Sequence, residues 1–118
     1  MMEHVGISII EIGDDHLKGK MPVDHRTIQT FGLLHGGASV TLAESLGSIA
    51  SNLVIDPSKN YCVGLEVNAN HLRSAKKGLV FGTVKPVHLG KKTHVWSIQI
   101  NDEDGHIIGI SRITNIVK

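Results

Sequence analysis

Apolar and polar positions alternate along most of this chain, with one long interruption. Val5 to Ile12 is an apolar run rich in β-branched residues, and Gly13-Asp14-Asp15 is a turn signal. Leu17, Gly19, Met21 and Val23 then alternate with polar neighbours, which predicts a first hairpin. Asp24 to Leu34 reads as loop. From about Gly37 to Val54 the period changes to that of a helix, which stops before Asp56-Pro57-Ser58. Alternation then returns in Leu65 to Arg73, Leu79 to Leu89, Thr93 to Asn101 and His106 to Val117. The breaks at Lys76-Lys77-Gly78, Gly90-Lys91-Lys92 and Asp102-Glu103-Asp104-Gly105 carry turn chemistry. The pattern predicts a single α+β domain over residues 1–118, with meandering antiparallel strands around one long helix.

Within that helix, Leu42, Leu46, Ile49 and Leu53 follow the spacing of a buried stripe, flanked by Ala43 and Ala50. Thr41, Glu44, Ser48 and Ser51 fall on another face with Gly37 and Gly47. Glu44 is the only carboxylate between Asp24 and Asp56. Trp96 is expected in the core or an interface with its N–H partnered, and Cys62 as a small core residue.

Composition narrows the function. A formal net charge of +1 and 3% aromatics argue against a nucleic-acid partner, which calls for a basic face or stacking platform. No apolar run reaches the length of a membrane span, and Met1-Met2-Glu3-His4 does not open a secretory signal. A single cysteine forms no internal disulfide and suits the cytoplasm, the expected location. The eight histidines show no zinc-ligand spacing, so no metal is expected.

The candidate chemistry lies at the mouth of the helix. In Gln29-Thr30-Phe31-Gly32-Leu33-Leu34-His35-Gly36-Gly37-Ala38, two glycines open the helix and leave backbone N–H groups free to hold an anion or a developing oxyanion. Gln29 and His35 stand upstream as polar side chains. An acid on a helix is usually solvated, and glycines at a helix start often serve only tight turning; acyl transfer or hydrolysis is the reading that uses them together. Gly37 and Glu44 differ by about 10.5 Å along the helix axis. A reacting carbonyl must lie within roughly 3 Å of both oxyanion donor and attacking group. A second, antiparallel copy of the helix would bring Glu44 of one chain beside Gly37 of the other, so the geometry favours a dimer with shared sites.

His35-Gly36-Gly37, Ala43-Glu44-Ser45, Gly64-Leu65-Glu66-Val67-Asn68-Ala69-Asn70-His71 and Pro86-Val87-His88-Leu89-Gly90, in that order, resemble the hotdog-fold acyl-CoA thioesterases. The likeness runs from Gly13 to Thr114. It is nearest to the branch that contains 1,4-dihydroxy-2-naphthoyl-CoA hydrolase and the enterobactin-pathway proofreading thioesterase. The resemblance implies a hotdog fold, an antiparallel sheet wrapped around one long central helix. It implies that Glu44 is nucleophile or general base, that Gly36 or Gly37 supplies the oxyanion N–H, and that Gln29 and His35 position the thioester. Ser48 would assist the water or Glu44. Coenzyme A would lie along His71, Leu72, Arg73 and Ser74 and along His88, Leu89, Gly90, Lys91, Lys92 and Thr93, with Gly64 lining the acyl pocket. Arg73, Lys91 and Lys92 suit the CoA phosphates, although lysines in a turn are ordinarily solvated. Coenzyme A belongs to the substrate, so no cofactor is expected. The family also implies a dimer and its pairing into a tetramer. Members of that branch usually carry a further stretch before the first strand, so the loss of a cap over the sheet or of part of the acyl pocket is the expected departure. An aromatic acyl-CoA is the expected substrate. A misloaded acyl carrier protein, or a hydrolytically silent acyl-CoA-binding module, are the alternatives.

Overall fold

The computed structural model describes residues 1–118. Helix α1 (Met2–Val5) is followed by strands β1 (Ser8–Ile12) and β2 (Leu17–Pro22) and helix α2 (Gly36–Leu53). Strands β3 (Cys62–His71), β4 (Leu79–Leu89), β5 (Thr93–Asp102) and β6 (Ile107–Val117) complete the chain. All strand pairings are antiparallel, in the order β1-β2-β4-β5-β6-β3. The sheet wraps α2, as the sequence pattern and the hotdog resemblance predict. No helix is long and apolar enough to cross a membrane.

Two differences from the sequence reading have local causes. Val5 closes a helical turn rather than opening a strand, because Gly6 takes a left-handed φ of 78° and its N–H caps the Glu3 carbonyl. The buried face of α2 is also rotated from the Leu42-Leu46-Ile49-Leu53 stripe. It comprises Ser39, Leu42, Ala43, Leu46, Gly47, Ala50 and Ser51, while Leu53 is 54% exposed. Small residues win this face because the sheet comes close. Gly19 and Gly82 face each other in the β2–β4 ladder, and a Cβ at either would meet the Leu46 methyls at 2.5 Å or 2.7 Å. A Cβ at Gly47 would strike Ile113.

Leu42 and Leu46 pack into a core of Leu17, Met21, Val80, Val84, Trp96, Ile98, Ile100, Ile108 and Ile113. Each of the two leucines, fully buried, contributes about 2 kcal/mol. That packing fixes the helix axis on the sheet and therefore the direction in which Glu44 points. Pro86 stands beside the bulge between Pro86 and His88, where its missing N–H does least harm. Strand β3 is an edge of the sheet, with Val63 and Leu65 exposed along it.

Candidate active site

The loop before α2 is held by its own polar groups. Thr27 is buried, its hydroxyl donates to the Pro22 carbonyl, and its carbonyl accepts the His35 N–H. Leu34 N–H reaches the Ala75 carbonyl across the β3–β4 connection. Gln29 Oε1 accepts the N–H groups of Phe31 and Leu33 at 2.6 Å and 3.2 Å. Those donors fix the amide orientation and leave Gln29 Nε2 as a free donor.

His35 is the N-cap of α2, and its Nδ1 accepts the Gly37 N–H at 2.8 Å. The ring proton of that tautomer sits on Nε2. Ala38 and Ser39 donate to the His35 carbonyl. Gly36 N–H, ahead of the first helical hydrogen bond, has no such partner. It stands at the positive end of an 18-residue helix with no acid in its first turn. Of the two glycines, Gly36 is the one that presents a free donor.

A cleft of about 320 Å³ opens there, and it joins Gln29, Gly36, His71, Leu72, Arg73 and Ser74. Leu34, Ser39 and Ile108 complete its walls. The sequence reading did not single out these three; Ser39 carried one signal, a polar residue on what proves the buried face of α2. The His71 ring lies over Gly36, with Nε2 2.9 Å from where a Cβ would stand.

Glu44 does not line this cleft. Its carboxylate lies against Gly64 on β3, in the space a side chain at 64 would occupy. Ser48, half-buried, follows one turn later on α2. Gly64, Asn115, His94 and Leu89 are aligned across the β3–β6–β5–β4 ladders. His88, Leu89, Gly90, Lys91, Lys92 and Thr93 therefore belong to the Gly64 end of the sheet. His71 belongs to the other end, seven residues along β3 or about 23 Å away. Leu89 instead borders a separate apolar cleft of about 390 Å³ with Leu53, Pro86 and Trp96. The predicted residues thus fall into two groups, one at each end of β3.

Behind Glu44 the structure buries a polar cluster. Ser51 Oγ accepts from Trp96 Nε1 at 2.6 Å and from Asn115 Nδ2 at 2.7 Å. Its own proton is left for His94 Nδ1, 3.0 Å away. This corrects the sequence reading, in which Ser51 shared the polar stripe of Glu44. Burial, with some help from His88, holds the His94 imidazole below its ordinary range, and burial pushes the Cys62 thiol up.

A family profile for the thioesterase superfamily matches residues 31–108. The chain belongs to the thioesterase superfamily. It is 52% identical over 117 residues to 1,4-dihydroxy-2-naphthoyl-CoA hydrolase of Escherichia coli, covering 99% of this chain and 85% of that protein. It is 46% identical over 117 residues to the proofreading thioesterase EntH of Cronobacter sakazakii, with the same coverage of each. Among solved structures, a glutamine-to-alanine variant of a Pseudomonas aeruginosa thioesterase superposes with a TM-score of 0.98 at 52% identity. That match covers 98% of this chain and 84% of the other. This thioesterase-superfamily chain is accordingly a hotdog-fold thioester hydrolase, and the question left to chemistry is which groups act on which thioester.

Proposed function

We propose that this protein hydrolyses an aromatic acyl-CoA, such as a 1,4-dihydroxy-2-naphthoyl or hydroxybenzoyl thioester, at a site shared between two chains. The observation that carries this reading is the separation of Glu44 and Gly64 from the cleft holding Gly36, Gln29 and His71. An antiparallel pairing of the open β3 edge with its copy brings the Gly64 end of one chain to the His71 end of the other. Glu44 of one subunit then faces Gly36 of its partner across one thioester carbonyl.

In that site Gly36 N–H holds the developing oxyanion, and Gln29 Nε2 and His35 Nε2 orient the carbonyl. Glu44 acts as general base for water or as nucleophile, with Ser48 beside it. His71, Leu72, Arg73 and Ser74 receive coenzyme A from one chain. The turn from His88 to Thr93 approaches from the other, where Lys91 and Lys92 meet phosphate. Gly37, held by His35, keeps that ring in place. The thiolate leaves readily, so the reaction as drawn uses no metal or cofactor. The same two-fold assembly can pair again into a tetramer.

Thiol release is to be followed on benzoyl, hydroxyaromatic, phenylacetyl and aliphatic CoA thioesters, for the wild type and Glu44→Ala. Aromatic turnover that collapses in Glu44→Ala with binding retained is expected. Turnover unaffected by the substitution overturns the assignment of Glu44. Release only from an acylated carrier protein moves the substrate to that class, and binding without release makes the protein a silent acyl-CoA-binding module.

A further inference from the structure

Asn115 is fully buried, and its Nδ2 donates to the Gly47 carbonyl at 3.1 Å and to Ser51 Oγ at 2.7 Å. A carbonyl only accepts, so the nitrogen must be the atom that faces Gly47, and the amide orientation is fixed. The other atom, Oδ1, is a buried acceptor with no partner in the protein. Such atoms are rare in folded proteins and disfavour the state that contains them.

Asn115 pairs with Gly64 across the β3–β6 ladder, so both side-chain positions point to the same face of the sheet, toward α2. The place where a Cβ of Gly64 would stand is 3.9 Å from Asn115 Oδ1 and in contact with Glu44 Oε2. Glu44 Oε2 therefore fills the small space left by the glycine, and Asn115 Oδ1, a second acceptor, borders it. They cannot bond each other while Glu44 is ionised. A donor with two hydrogens satisfies both.

We infer that Asn115 is a positioning residue for the hydrolytic water. The inference rests on the assignment of Glu44 made above and decides its role as general base. As Glu44 turns toward a bound thioester, one water takes the space beside Gly64, giving one hydrogen to Glu44 and the other to Asn115 Oδ1. Its lone pair faces the thioester carbonyl carbon. The water oxygen bonds to that carbon while one of its protons passes to Glu44, and the Gly36 N–H holds the oxyanion. Collapse breaks the C–S bond, and the departing thiolate takes the proton from Glu44. The second hydrogen leaves with the product acid, and nothing is oxidised or reduced.

The test uses Asn115→Leu, which keeps the branched outline and removes the acceptor, with Ser51→Ala as the control for anchorage. Ser51→Ala takes away one of the two partners of Asn115 Nδ2 but leaves Oδ1 in place. With benzoyl-CoA as substrate, kcat of Asn115→Leu is expected to fall at least tenfold with KM within twofold, roughly the loss of one good hydrogen bond. Ser51→Ala is expected to keep kcat within about threefold, as anchorage alone is disturbed. Added hydroxylamine separates positioning from mere loosening, because an external nucleophile does not need the water's place. The hydroxamate share of product should rise in Asn115→Leu and stay at the wild-type value in Ser51→Ala. Should Asn115→Leu not fold, Asn115→Val, which is smaller and also has no acceptor, carries the same expectation. An unchanged hydroxamate share, or an equal kcat loss in Ser51→Ala, overturns the inference. Glu44→Ala, run alongside, keeps the two readings apart. If it retains turnover, the Glu44 assignment falls and this inference with it. If it is inactive while the partition in Asn115→Leu is unchanged, only the role of Asn115 falls.

Discussion

The Nδ1 of His35 accepts the N–H of Gly37 at 2.8 Å, and that bond leaves the neighbouring N–H of Gly36 as the free donor at the mouth of α2. His35 therefore has two separable tasks. As N-cap it satisfies a helix-terminal donor, and truncation to alanine should lower stability by about 1 kcal/mol. The second belongs to the proposed site, where Nε2–H faces the carbonyl that Gly36 also addresses. His35→Asn supplies an equally good cap, but its amide N–H stops one atom short of the place of Nε2. Urea unfolding should show His35→Asn restored to near wild-type stability, while thiol release stays well below wild type. Recovery of both would reduce His35 to a cap.

Gly64 tests the seat of Glu44 from the other side. A methyl at 64 would strike the Glu44 carboxylate and leave the ladder with β6 intact. The flexible end of a glutamate side chain moves at little cost, so Gly64→Ala should melt near wild type. Displacement of a reacting group by about 1 Å lowers the rate on the order of a hundredfold, so kcat should fall steeply. A variant that keeps kcat would show that Glu44 works from elsewhere.

The Ser51 hydroxyl joins α2 to β5 and β6 through three side chains. Removing it leaves the Trp96 N–H and an Asn115 N–H unpaired in the core. Ser51→Ala should lose at least about 2 kcal/mol in urea unfolding, since each of the two buried donors left unpaired costs about 1–3 kcal/mol. A loss no larger than that of an exposed serine would mean the cluster repacks around the missing oxygen.

The same cluster predicts how stability changes with pH. The folded protein keeps His94 neutral to a pH below its ordinary value, chiefly through burial. The unfolded chain protonates this residue near pH 6.5. Below that pH the unfolded state binds more protons, so the contribution of His94 is present above about pH 6.5 and lost on acidification. His16 works in the opposite sense: its bonds to Glu11 and Asp15 raise its value, so its contribution fades as pH rises. The comparison must therefore be made by difference. The drop in melting temperature between about pH 7.5 and about pH 5.5 should be smaller in His94→Gln than in wild type, because only the latter loses the His94 contribution. Equal drops would place the acid sensitivity elsewhere.

Local patterning carried most of the fold. Strand β4 spans Leu79–Leu89, the range its alternation predicts, because both its neighbours in the sheet demand an inward apolar face. The helix was equally legible in extent. Its buried face was not, because side-chain period describes size and polarity but not how close a sheet approaches; Gly19, Gly82 and Gly47 admit the sheet so nearly that Ser39 and Ser51 are covered while Leu53 is left outside. At the candidate site, Gln29 and Gly36 share one cleft because a loop and a helix start hold them together, while His35 turns back to cap Gly37. Arg73 and Lys91 could be chosen by charge, yet only strand order reveals that they stand at opposite ends of the sheet. Asn115 carried no sequence signal at all: an asparagine near the end of a strand is ordinary until its orphaned oxygen is found beside Glu44 and Gly64.

The proposed division of the site between two chains makes its own prediction. Glu44→Ala removes the proposed attacking group from one end of β3, and Gly36→Ala crowds the His71 ring at the other. If each site draws Glu44 from one subunit and Gly36 from its partner, a heterodimer of the two variants holds one site with both lesions and one with neither. Random exchange makes half the dimers mixed, so unfolding and refolding an equimolar mixture should recover about a quarter of wild-type turnover from two nearly inactive proteins. Sites built within single chains would recover nothing, because every chain carries one lesion. A double variant with both substitutions in one chain, mixed with wild type, should also form heterodimers that retain one lesion in each site and are inactive. Recovery in the first mixture and loss in the second would together require Glu44 and Gly36 to act across the pair.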